Sequence, residues 1–161
     1  MTTAEFNLCV DQHADGVYRF ILKNIRDDEM ARDVVQDAFT KMWERVDTIA
    51  FEKAKSYLFT TAHHTMIDAI RKNQRQTSFE SVSWEQAAPD RPYSDLKEIL
   101  DEAVQRLPEI QRSALLLRDY EGYSYKEIGD ILELNESQVK VYIFRARVAM
   151  KEYLVSADLV V

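Results

Sequence analysis

From Leu96 to Leu107 the apolar residues Leu96, Ile99, Leu100, Ala103, Val104 and Leu107 fall at i, i+3, i+4, i+7, i+8 and i+11, which is one face of an α-helix. The same spacing fills most of the chain. Phe6, Cys9, Val10, His13, Val17, Phe20, Ile21 and Ile25 predict a first helix over Glu5–Ile25. The acids Asp27, Asp28 and Glu29 then suit the positive end of a second helix, whose stripe of Met30, Val34, Ala38 or Phe39, and Met42 runs to about Val46. After a break at Asp47–Ala50, a third helix over about Phe51–Arg75 carries Ala54, Leu58, Ala62, Met66 or Ile67, and Ile70. Pro108 fits the first turn of a further helix that stops at Gly122. With 3 Gly and 3 Pro in 161 residues, the chain lacks the turn residues of a sandwich or barrel. The fold class is all-α.

Between Gln76 and Tyr93 the periodicity is lost. Thr77, Ser78, Ser81, Ser83, Pro89, Asp90, Arg91 and Pro92 crowd together there. A structureless stretch of about 18 residues is long for a loop inside one compact domain. The expectation is two small helical domains, 1–75 and 94–161, joined by a flexible linker over 76–93, with Ser94 as the N-cap of the next helix. No uncharged run approaches the length of a membrane span, Met1–Leu8 lacks the basic-then-apolar pattern of a secretory signal, and Cys9 is the sole thiol. These features predict a cytoplasmic protein.

A net charge of −7 argues at first against a nucleic-acid partner, but the total hides an asymmetry. Lys53–Arg75 carries five cations and one acid, and Ser137–Lys151 carries four cations and no acid. The two islands account for +8, so the rest of the chain holds −15. That distribution suits two local contacts with a polyanion, on a molecule whose remaining surface is open to a basic partner.

The second island has a recognisable frame. Ser124 with Glu127, and Asn135 with Gln138, are two capping-box signatures 11 residues apart. They predict a short helix, a turn at Glu133–Leu134 and a longer basic helix, the plan of a helix-turn-helix whose second helix enters the DNA major groove. Ser137, Gln138 and Lys140 then stand at base edges, and Arg145, Arg147 and Lys151 at phosphates. The alternative is a basic face that is merely solvated.

The stretch Tyr123–Arg147 (YSYKEIGDILELNESQVKVYIFRAR), preceded by Leu107, Pro108 and Gly122, resembles region 4 of the extracytoplasmic-function (ECF) sigma factors of bacterial RNA polymerase. Asp33–Trp43 (DVVQDAFTKMW), Ala54–Leu58 (AKSYL), Ile67, Asp68, Arg71 and Lys72 resemble region 2 of the same family, in the same order. The resemblance implies a factor with no catalytic site, cofactor, metal or small-molecule substrate. Its partners would be core RNA polymerase (the β′ clamp coiled coil and the β flap), promoter DNA and an anti-sigma factor. It implies a polymerase-docking face of Asp33, Gln36, Asp37, Phe39 and Trp43. It assigns the opened −10 element to Phe51, Lys53, Lys55, Tyr57, His64, Asp68, Arg71, Lys72 and Arg75. The −35 duplex falls to Ser137, Gln138, Lys140, Val141, Phe144, Arg145 and Arg147. Stacking on Phe51 and Tyr57 is worth about 1–3 kcal/mol per base. Tyr57 stands where the family often has Trp, His63 and His64 where Arg and Asn are usual, and Tyr142 where Arg is common. Free protein should be nearly inert, because a flexible linker weakens simultaneous binding by both halves unless polymerase spaces them.

Two other readings use parts of the same sequence. His64 and Asp68 at i, i+4, with His63, suggest a metal-dependent hydrolase, although Cys9 and His13 lie on an apolar stripe. A repressor or response-regulator output module needs only the last 60 or so residues and leaves the N-terminal island unexplained.

Overall fold

The computed structural model describes residues 1–80 and 96–156, with 77–80 described by backbone alone. Among these residues there are seven α-helices and no strand. They are α1 (Thr3–Ile25), α2 (Asp28–Glu44), α3 (Ala54–Glu80), α4 (Leu96–Gln105), α5 (Glu109–Leu115), α6 (Tyr125–Leu132) and α7 (Glu136–Ser156). The end of α3 carries the helix through 76–80, into the expected linker; 81–93 and the Ser94 cap lie outside the described residues, as do 157–161.

Local chemistry sets the helix ends. Thr2 and Glu5 form a reciprocal capping box at the start of α1, and Arg26, in the left-handed region at φ 54°, closes its other end. Asp27 accepts from the Met30 N–H and starts α2 at once, so α1 and α2 form a tight hairpin. The Met1 ammonium donates to the Val46 and Ile49 carbonyls at 3.0 and 2.9 Å, tying the N-terminus to the break before α3. That break is two short 3₁₀ turns, Val46–Thr48 and Phe51–Lys53. Of the alternatives on the stripes, Ala38 and Met66 are fully buried, while Phe39 and Ile67 are half-buried.

In the second half α5 runs into a π-helical turn, Leu116–Tyr120, where the Glu121 N–H reaches back to the Leu116 carbonyl at 3.1 Å. Gly122 at φ 75° then reverses the chain. The two capping boxes of α6 and α7 are present, Ser124 with Glu127 and Asn135 with Gln138. Between them Glu133 adopts the left-handed conformation at φ 60° and the Leu134 N–H donates to the Gly129 carbonyl at 2.9 Å.

Gly129 is required by this turn. A Cβ there would stand 2.6 Å from the Leu134 carbonyl oxygen, a backbone atom that moves only if the turn moves. Gly129→Ala is therefore expected to destabilise the chain by about 1–3 kcal/mol, against the sign of helix propensity. The drop in Tm, compared with Asp130→Ala on the exposed side of α6, measures it. An unchanged or raised Tm would refute the close packing of the turn.

Buried side chains form one continuous core through both halves. Phe20, Ile21, Leu58, Phe59 and Met66 fill the first half, and Leu116, Leu117, Ile128, Ile131 and Ile143 the second. The halves meet where the Tyr123 ring stands edge-on to Phe59, centroids 5.4 Å apart. At the same seam the second half caps α1. Gln105 Nε2 donates to the Lys23 and Asn24 carbonyls at 2.9 and 2.8 Å, and Arg112 Nη1 donates to the Asn24 carbonyl at 3.2 Å.

Candidate functional site

Three surfaces collect the residues singled out by the sequence. On α2, Asp33, Gln36 and Asp37 are exposed in a row over the buried Val34 and Ala38. Asp37 pairs with Lys41 at 3.4 Å, and Lys41 Nζ donates to the Thr65 hydroxyl at 3.0 Å, fixing α2 on α3. Beside this row Phe39 and Trp43 line a shallow apolar groove with Phe6, Tyr18 and Val35. Trp43 is 45% exposed, its ring edge-on to Phe6 at 5.0 Å, so it is not a core residue, while Phe39 is half-buried and packs against the core from the groove. Phe6 and Tyr18 were not singled out by sequence reasoning. Phe6 stands on the stripe of α1, which predicts burial, and Tyr18 stands off it; the tertiary pairing with α2 brings both to the groove.

The second surface runs along α3. Lys53 is exposed and Phe51 and Tyr57 are half-buried near its start, while Asp68, Arg71, Lys72 and Arg75 are exposed towards its far end. Asp68 and Lys72 share a groove with Asp33, Gln36 and Asp37 of α2, which brings two of the expected sites to one cleft. Lys55 and His64 face the second half of the molecule instead. Lys55 pairs with Glu127 and lies over the Tyr123 ring, Nζ 4.6 Å from its centroid. His64 Nε2 stands 3.1 Å from a Glu133 carboxylate oxygen. The Lys55 hydrogen bond is the main reason the Glu127 carboxyl titrates below its ordinary range. Burial, with Glu121 and Glu127 nearby, pushes the Tyr123 phenol up to about 12. Among the described residues no three His, Cys, Asp or Glu side chains come together, and His63, His64 and Asp68 do not converge with Cys9, which is buried.

The third surface is the outer face of α7. Val139, Ile143 and Ala146 anchor the helix on the core, which turns Ser137, Lys140, Val141, Phe144 and Arg145 outward together. Phe144 is 68% exposed. Lys140 lies over the Tyr125 ring of α6 at 5.6 Å. The Gln138 Oε1 is engaged by the Asn135 N–H of the cap. Arg147 differs from its neighbours: it makes a two-pronged contact with Asp119, at 3.1 and 2.5 Å, which holds its guanidinium even more firmly protonated. The π turn makes this possible, since it aims Asp119 at α7 while Glu121, two residues on, turns to Arg19 of α1.

A family model described as Sigma-70 region 2 matches residues 9–76, and one described as Sigma-70, region 4 matches residues 97–150. The chain is 30% identical over 144 residues to the ECF RNA polymerase sigma factor SigM of Bacillus subtilis (strain 168), covering 86% of this chain and 88% of that relative. It is 28% identical over 161 residues to the RNA polymerase sigma factor SigV of the same organism, covering 98% and 96%. The sigma factor RpoE of Bartonella quintana, solved with the anti-sigma factor NepR, is similar with a TM-score of 0.77 at 25% identity, over 92% of this chain and 96% of that one. CnrH, solved with the cytosolic domain of CnrY, shares the fold with a TM-score of 0.69 at 21% identity, over 95% and 88%. With both sigma regions matched in order along one helical chain, and with relatives of this kind spanning most of it, the chain belongs to the ECF sigma factors, which direct promoter recognition and the initiation of transcription.

Proposed function

We propose that this chain binds core RNA polymerase through α2, holds the opened −10 element along α3, and reads the −35 duplex with the outer face of α7. It works by binding, with no catalytic step of its own. The observation that carries the reading is the separation of charge by surface: exposed acids in a row on α2, cations on α3, and an outer face of α7 whose charges are all basic from Ser137 to Lys151. The acidic row suits the basic partner that the −15 outside the islands calls for, and the neighbouring Trp43 groove supplies apolar area beside it. An anti-sigma factor is a further expected partner, supported by the solved relative RpoE, which is bound to the anti-sigma factor NepR. The domain limits 1–75 and 94–161 follow the same division of labour.

Fluorescence anisotropy with bacterial core RNA polymerase tests the docking face. Wild-type protein should bind tightly, and Asp33→Ala/Gln36→Ala should weaken binding about 10-fold, since exposed charged and polar contacts at an interface are each worth up to about 1 kcal/mol. No binding to polymerase, with retained affinity for duplex DNA alone, would replace this reading with a repressor.

A further inference from the structure

The line of α7 that stands farthest from the core is apolar. Val139, Ile143 and Ala146 are buried, so the opposite line of the helix runs Ser137, Val141, Phe144 and Val148, at i, i+4, i+7 and i+11. Val141 is 44% exposed, Phe144 68% and Val148 41%. Large apolar side chains held together in water mark a contact surface. The charges around them say what kind. By helical rotation Lys140 stands on one side of this line and Arg145 on the other, and Ser137–Lys151 contains no acid. An apolar line between cations suits a polyanion whose apolar groups lie at the bottom of a charged trough. The DNA major groove has that form: phosphates make its walls, and the one apolar group on its floor is the 5-methyl of thymine. Ser137 and Phe144 lie about 10 Å apart along the axis, within a groove about 12 Å wide. Gln138 adds a second constraint. Its Oε1 accepts from the Asn135 N–H at 3.0 Å, while its own backbone N–H donates to Asn135 Oδ1 at 2.8 Å. The two-pronged pairing of glutamine with adenine needs that oxygen, so the cap leaves Gln138 its NH2, a donor for a base acceptor such as thymine O4.

We propose that α7 selects thymine: Val141 and Phe144 pack on 5-methyl groups of the −35 duplex, and Gln138, its oxygen held in the cap, donates to a thymine O4. The proposal rests on the reading of α7 as the −35 surface and adds the base that this surface prefers. Cytosine carries a hydrogen where thymine has its methyl and a donor where thymine has O4, so both contacts reject it together. The methyl contacts act by removing water from apolar surface, which salt does not screen. They are thereby distinct from the phosphate contact of Arg145, which releases counterions.

Deoxyuridine in place of thymine removes the methyl and leaves base pairing and every other groove atom as they were. Holoenzyme assembled from this chain, on a promoter duplex selected from a random pool, should lose about 4-fold in affinity for each contacted methyl when the −35 thymines are replaced, and about 15-fold for two. The salt slope should not change. Val141 and Phe144 are exposed, so Val141→Ala/Phe144→Ala should keep the helical circular dichroism of wild type. On the thymine duplex this variant should bind more weakly by a similar factor, and on the deoxyuridine duplex it should lose almost nothing further, because each change removes the same contact. Gln138→Glu keeps the cap, since glutamate closes a capping box as glutamine does, but has no donor to offer. Selection with that variant should move from thymine towards cytosine at one position. Equal affinity for the two duplexes, losses that simply add, or a selected −35 element with no thymine on either strand overturns the proposal. Lys140→Ala/Arg145→Ala tells that failure from a wider one. Weaker binding by this pair, with thymine and deoxyuridine bound alike, keeps α7 as the −35 surface and removes the thymine reading. No effect of the pair removes both. A dimer of the free chain in sedimentation that Phe144→Ala dissolves, again with the two duplexes bound alike, assigns the apolar line to a second copy and overturns the proposal.

Discussion

Alanine at both Lys140 and Arg145 is expected to weaken promoter binding by about 2–6 kcal/mol, because each side chain stands on the exposed face of α7 and a base or phosphate contact there is worth about 1–3 kcal/mol. Arg147→Ala should cost far less on DNA although it is the same residue type on the same helix. Its guanidinium is spent on Asp119, so its loss falls on the tie between α7 and the π turn and lowers Tm instead. Salt dependence separates the two effects. With holoenzyme assembled from this chain and a promoter duplex selected from a random pool, the slope of log affinity against log salt should become shallower by about 1 for Lys140→Ala/Arg145→Ala, through the phosphate contact of Arg145, and stay near wild type for Arg147→Ala. A slope shallower by about 1 for Arg147→Ala would turn α7 around its axis and place Arg147 on the groove.

The distinction between Arg145 and Arg147 marks where sequence reasoning stops. Both fall in the −35 set that the family resemblance implies, which goes by position in the motif, although i and i+2 on one helix do not share a face. Asp119 lies 28 residues away, and nothing local announces that a π turn will aim it at Arg147. The same limit explains the seam. Ser124 with Glu127 and Asn135 with Gln138 could be read as caps because the bond closes within three residues, and the apolar stripes could be read because burial repeats every turn. Arg19 with Glu121, Lys55 with Glu127 and His64 with Glu133 are each separated by 69 residues or more, and such pairs leave no period behind. The sequence therefore yielded the helices, their order and the basic islands, while the way Lys55 and His64 are engaged belongs to the packing of one half on the other. Phe39 and Trp43 stood between core and surface for a related reason: an aromatic at i, i+4 reads as buried until its neighbour is known, and here that neighbour is Phe6 at the rim of a groove.

Acidification should unfold the wild-type chain earlier than a His63→Leu variant. His63 is 6% exposed, stacked near Phe20 with ring centroids 6.2 Å apart, and its Nε2 has no hydrogen-bond partner. Burial, with the neighbouring charge of His64, lowers its pKa from 6.5 to about 4. The unfolded chain therefore takes up this proton at a higher pH than the folded one, and protonation favours unfolding. The effect is absent above the unfolded value, grows as pH falls below about 6.5, and is complete near pH 4, where it amounts to about 3 kcal/mol. At pH 5 about 2 kcal/mol of it is already lost. Leucine fills the site with apolar volume and no proton to gain, so the stability difference between variant and wild type, measured by urea unfolding at a series of pH values from 4.5 to 7.5, should rise by about 2 kcal/mol between pH 7 and pH 5. Taking the difference cancels the carboxylates that titrate in both chains. A difference that stays constant across the series would show that His63 is solvated or partnered at its Nε2, and that the ring between α1 and the seam is not the acid-labile point of the fold.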